Sequence, residues 1–76
     1  MQKLDININT EFIKLDQLLK FSGIAENGAD AKAMVQEGIV FFNGKLCEMR
    51  GKKVREGDRV TVEFDDETVE ILVGKE

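Results

Sequence analysis

A chain of 76 residues leaves room for one domain, and a domain of that size hides only about 60% of the surface its unfolded chain would expose, so its core must be small. With 42% hydrophobic and 34% charged residues and no apolar run of spanning length, the composition fits a globular domain and excludes a disordered or membrane chain. The formal charge is -4, histidine is absent and Cys47 is the lone cysteine, which excludes an internal disulfide, the usual zinc ligand sets and a histidine-based nucleophilic triad.

The opening MQKLDININT is polar and charged and does not have the form of a signal peptide, so a cytoplasmic protein is expected. Within it, LDINI (4 to 8) alternates Leu4, Ile6 and Ile8 with Asp5 and Asn7, the period of a half-buried strand. From Lys14 to Ser22, KLDQLLKFS sets Leu15, Leu18, Leu19 and Ser22 at helical spacing, and Gly23 supplies the left-handed residue that ends a helix. Asn27 caps a second helix, Asp30 lies near its positive end, Ala31, Met34 and Val35 form its apolar stripe, and Gly38 closes it.

After Gly38 the period changes to two. IVFF (39 to 42), the turn pair Asn43-Gly44 and Lys45-Leu46-Cys47 predict a hairpin, since Asn-Gly tolerates the positive φ values of a type I′ turn. Cys47 reads as a small packing residue. Gly57-Asp58 marks another turn, and RVTVEF (59 to 64) with TVEILV (68 to 73) forms a second hairpin around the acidic tip Asp65-Asp66-Glu67, its Val60, Val62 and Phe64 facing Val69, Ile71 and Val73. The five phenylalanines, Phe12, Phe21, Phe41, Phe42 and Phe64, stand at apolar periodic positions and are read as core rather than as base-stacking platforms.

Catalytic parts are lacking. Ser22, Thr10, Thr61 and Thr68 have no evident neighbouring base, and the carboxylates stand at turn, cap and alternating strand positions where solvated charge explains them. A non-enzyme without cofactor or metal is expected. Charge is nevertheless unevenly spread: residues 14 to 59 carry nine Lys/Arg against seven acids, whereas residues 60 to 76 carry one Lys against six acids. Lys45, Arg50, Lys52, Lys53 and Arg55 fall within eleven residues. A polyanion senses the field within a Debye length of roughly 8 to 10 Å rather than the net charge. From charge alone, a solvated lysine-rich loop and a phosphate-binding loop are equally good readings.

The order of elements adds a resemblance. Lys14-Leu15-Asp16, Leu18 and Leu19, Gly23-Ile24, Asn27-Gly28, Ala31-Lys32, Gly38, Phe42-Asn43-Gly44, and Val54 followed by Gly57-Asp58 occur in unbroken order, and residues 14 to 62 resemble the alpha-L RNA-binding motif, the S-four domain. The stretch Glu26-Asn27-Gly28-Ala29-Asp30-Ala31-Lys32 and the loop Arg50-Gly51-Lys52-Lys53 also resemble the short stand-alone branch of that family labelled YbcJ or YaaA. The resemblance implies an α+β domain over residues 1 to 76, with two short packed helices against a small, mainly antiparallel sheet of hairpins. Its motif core is 14 to 62, flanked by the strand 4 to 8 and the hairpin 59 to 73. It also implies that a helix pair and the following loop grip structured RNA, ribosomal or transfer RNA, alone or in a ribosomal particle, as a monomer and without a membrane.

The residues expected to hold RNA are Lys14, Lys32, Lys45, Arg50, Lys52, Lys53 and Arg55, with Asn27 and Gly28 at the start of the second helix, where free N–H groups would face phosphate. Gly28 stands where the family pattern has an arginine, which removes one cation from that surface. Asp16 and Asp58 are read as helix-start and turn residues. The competing function is a protein-interaction adaptor that docks acidic residues 63 to 70 on a basic partner. A ubiquitin-like carrier is disfavoured by the tail Val73-Gly74-Lys75-Glu76, which lacks a terminal Gly-Gly.

Overall fold

The period-two segments pair into one five-stranded sheet. In the computed structural model, which describes residues 1–76, Gln2–Ile8 (β1) lies parallel to Thr68–Lys75 (β7), and β7 pairs antiparallel with Arg59–Glu63 (β6). Val40–Phe42 (β3) follows, antiparallel to β6 and to Lys45–Leu46 (β4), which completes the order β1-β7-β6-β3-β4. Both hairpins therefore form where the alternation places them. The ladder between β1 and β7 makes the sheet mixed: the two strands lie at opposite ends of the chain, and the connection between them passes through both helices, as a parallel pair demands.

The helices Leu15–Phe21 (α1) and Gly28–Gln36 (α2) end and begin at their punctuation marks. Gly23 has φ +85 and its N–H donates to the Lys20 carbonyl, while the Ala25 N–H reaches back to Leu19. At the start of α2 the Asn27 side chain accepts from the Asp30 N–H at 2.9 Å. The turn of the first hairpin carries φ 49 at Asn43 and 87 at Gly44, the two positive values that a type I′ turn requires.

Helices and sheet enclose one core. Leu15, Leu18, Leu19, Ala31 and Val35 from the helices meet Val40, Val54, Val60, Val62, Ile71 and Val73 from strands, with Ile8, Ala25 and Cys47 at the margin. Cys47 is buried, as its packing role requires. Replacing Leu18, which has no exposed surface, by alanine would cost about 2–5 kcal/mol, a large share of the roughly 4–11 kcal/mol expected for a chain of this length. No helix is long and apolar enough to cross a membrane.

Phenylalanine departs from the expected core. None of the five is fully buried; Phe21 is 67% and Phe64 36% exposed, and only Phe42 packs against the core. Phe21 lies off the Leu15, Leu18, Leu19 stripe of its own helix, and Phe41 alternates with the inward Val40 and Phe42 and so faces outward. Phe64 continues the inward row of Val60 and Val62, but β6 ends at Glu63 and the row has run out of sheet.

Candidate nucleic-acid interface

Between β4 and β6 the chain makes a loop that returns to the start of α1. Lys53–Val54 (β5) pairs antiparallel with Ile13–Lys14 (β2) as a separate two-stranded ladder, in which Lys53 opposes Lys14. The first helical amides need acceptors from outside the helix, and the loop supplies them: Leu15 N–H donates to the Lys52 carbonyl at 2.8 Å and Asp16 N–H to that of Arg50 at 3.0 Å. Docking the helix start on loop carbonyls sends Arg50, Lys52, Lys53 and Lys14 out from one junction. Asp16 turns its carboxylate to the Gln17 N–H, a helix-start role.

The far end of the loop is fixed by Asp58. Its carboxylate accepts from the Arg55 N–H at 2.8 Å and from Asn43 Nδ2 at 3.1 Å, and Asn43 Oδ1 accepts in turn from the Arg59 N–H at 2.8 Å. Thus the Asn-Gly turn and the Gly-Asp turn, which are fifteen residues apart at Asn43 and Asp58, hold each other and bracket the basic segment.

The cations gather in three neighbouring groups. Lys53 and Arg55 both lie over the Phe12 ring, at 4.9 and 5.9 Å from its centroid, with Lys14 across the ladder. Lys52 lies 4.9 Å over the Phe42 ring and shares a recess with Lys45. Arg50 and Lys32 line one depression with Gln36 and Glu48, which brings α2 onto the same surface. These aromatic supports, each worth about 0.5–1 kcal/mol at exposed sites, are a feature of the candidate site that the sequence reading did not include. The clue was available in Phe12 and Phe42, which flank the basic segments.

No carboxylate approaches any of these seven cations within 4.0 Å, since the ion pairs are Arg59 with Glu70 and the Met1 amino group with Glu67. The acidic tip Asp65-Asp66-Glu67 follows the Glu63 end of β6, whereas the basic loop enters at the Arg59 end, a separation of about 13 Å along the strand. The tip therefore does not neutralise the loop. At the start of α2, Asn27 spends its side chain on the cap, the Gly28 and Ala29 amides have no protein acceptor, and Gly28 lies one turn before Lys32 on the same helix face.

The S4 domain model matches residues 6–72, which takes in both helices, the loop, β2 to β6 and parts of β1 and β7. The chain belongs to the S4 domain family. Within that family it is 38% identical over 58 residues to the probable ribosome maturation protein RlbA of Bacillus subtilis (strain 168), covering 76% of this chain and 82% of the relative. Its fold is similar to that of Vibrio cholerae Heat Shock Protein 15, solved in a trimeric structure, with a TM-score of 0.74 and 26% identity over 87% of this chain. This S4 chain spans 66% of that protein's length. The matched region extends beyond the 14 to 62 core at both ends, because the strand before α1 and the strands after the loop complete the S4 sheet.

Proposed function

We propose that this S4 domain protein is a non-catalytic binder of structured RNA, with ribosomal RNA or a maturing ribosomal particle ahead of transfer RNA. The observation that carries the reading is the collection of seven cations without ion-pair partners across the start of α1, the basic loop, β4 and α2, in a chain that has carboxylates to spare. Cations that form no ion pairs, on a loop fixed by backbone bonds to a helix start, are suited to RNA phosphates, whose positions reflect the shape of the RNA rather than its sequence. The similarity to a probable ribosome maturation protein of Bacillus subtilis supports the ribosomal choice.

Lys14, Lys53 and Arg55 hold one stretch of backbone, Lys45 and Lys52 a second, and Lys32 with Arg50 a third, with the free Gly28 and Ala29 amides one turn from Lys32. On this reading the protein acts on its RNA as a monomer. Retention on heparin and on bulk ribosomal RNA at low salt tests the reading: the protein is retained on both despite its net charge of -4. An adaptor that used the acidic residues 63 to 70 would flow through both. Crosslinking in cells followed by sequencing of the bound RNA identifies the target.

A further inference from the structure

Beside β4 lies a recess of about 230 Å³ walled by Phe42, Leu46 and Met49, with Lys45 and Lys52 at its rim and Glu48 next to them. Leu46 and Met49 are 51% and 66% exposed, and apolar side chains add nothing to a surface that only grips phosphate. Glu48 also lines the adjoining depression that contains Lys32 and Arg50. The recess therefore opens within the cationic strip, and a backbone laid across Lys32, Arg50 and Lys52 passes its mouth.

We propose that this recess takes one unstacked base of the bound RNA. The inference rests on the RNA-binding reading and deepens it. The space is smaller than the roughly 300–1,000 Å³ of cofactor pockets, and its apolar walls suit the flat faces of a base, which is apolar on its faces and polar only at its edge. The Met49 thioether is polarisable and makes favourable contacts with aromatic rings, and Leu46 and Phe42 supply the rest of the apolar wall, with Lys52 over the Phe42 ring. Rim cations at Lys45 and Lys52 take the phosphates that flank an extruded nucleotide. A base in a bulge or loop has a free Watson–Crick edge. An ionised Glu48 only accepts hydrogen bonds, so it receives an exocyclic amino group, which cytosine, adenine and guanine carry and uracil lacks.

The test titrates the intact protein into an RNA hairpin with one bulged 2-aminopurine and into the same hairpin fully paired, at low salt. The bulged hairpin binds about tenfold tighter, and 2-aminopurine emission rises as the base leaves the stack. Leu46→Ala combined with Met49→Ala removes the preference and the emission change, yet leaves the affinity for the paired hairpin, the salt dependence and the melting temperature near those of the parent protein. With cytosine or uracil in the bulge the parent favours cytosine several-fold, and Glu48→Gln, which can donate as well as accept, makes the two equal. Equal affinity for bulged and paired hairpins in a protein that binds both in a salt-dependent way overturns this inference alone. So does a preference that survives the double substitution. Failure to bind either hairpin overturns the RNA-binding reading and the inference with it.

Discussion

Lys14 stands directly across from Lys53 in the two-residue ladder that joins the start of α1 to the basic loop, and neither has a carboxylate within 4.0 Å. Like charges opposite one another in an antiparallel pair are unfavourable by some tenths of a kcal/mol. The fold tolerates that cost because Leu15 and Asp16 bind the loop through backbone hydrogen bonds and Val54 is fully buried. A juxtaposition that destabilises the free protein slightly is relieved when a phosphate lies between the two ammonium groups.

Lys53→Glu therefore separates stability from binding. The substitution turns a repulsive pair into an attractive one and gives up the contact with Phe12, so the melting temperature stays the same or rises by up to about 4 °C. Affinity for structured RNA falls about tenfold, since one cation is lost and an anion takes its place. A fall of more than about 5 °C in melting temperature would assign Lys53 to the fold instead.

Gly28→Arg strengthens RNA binding several-fold. Gly28 has an ordinary negative φ, and a Cβ there meets nothing within 4 Å. Arginine adopts helical angles and reaches the anion held by Lys32 one turn on. Removing a glycine favours the folded state by about 0.4–1 kcal/mol, against a few tenths lost to a cation beside the positive helix end. The variant is thus at least as stable as the parent, and isothermal titration with a structured RNA reads the gain.

At Asn27 two substitutions part company. Asn27→Ala loses the bond to the Asp30 N–H and costs about 1 kcal/mol, or roughly 4–8 °C in melting temperature. Asn27→Asp keeps the cap and its stability, but sets a negative charge where RNA approaches and lowers affinity several-fold. Thermal melts and a binding isotherm on both variants check the pair.

Asp58→Ala removes the acceptor shared by Arg55 and Asn43. The expected loss is about 1–2 kcal/mol, seen as a fall of roughly 5–10 °C in melting temperature. RNA affinity falls with it, because Arg55 is no longer held at the Phe12 ring.

Features whose cause is local were legible in the sequence. The Asn43-Gly44 turn, the Asn27 cap and the glycine stops follow from the conformational range of single residues, and their φ values and bonds match. Hairpin pairing between β6 and β7 follows from alternation and a short connection. What escaped depends on partners distant in the chain. The β1–β7 ladder joins segments from the two ends of the chain, and β2–β5 is too short to show a period. Phe21 and Phe41 could have been placed correctly from the helix stripe and strand alternation in which they stand, whereas Phe64 required knowing where β6 ends. Five of the seven cations were legible as a run of charge, and the family resemblance added Lys14 and Lys32 to the same surface; the means of bringing them together was not legible, because it depends on the Leu15 and Asp16 amides bonding to loop carbonyls.

Salt dependence tests the central claim most directly, because phosphate contacts alone give it a fixed slope. For the unmodified protein bound to a structured ribosomal RNA fragment, the seven cations at about 0.7 each make log affinity fall by about 5 per decade of salt, roughly a thousandfold over a fourfold rise. An affinity that does not change with salt, or an absence of binding at low salt, would contradict the account.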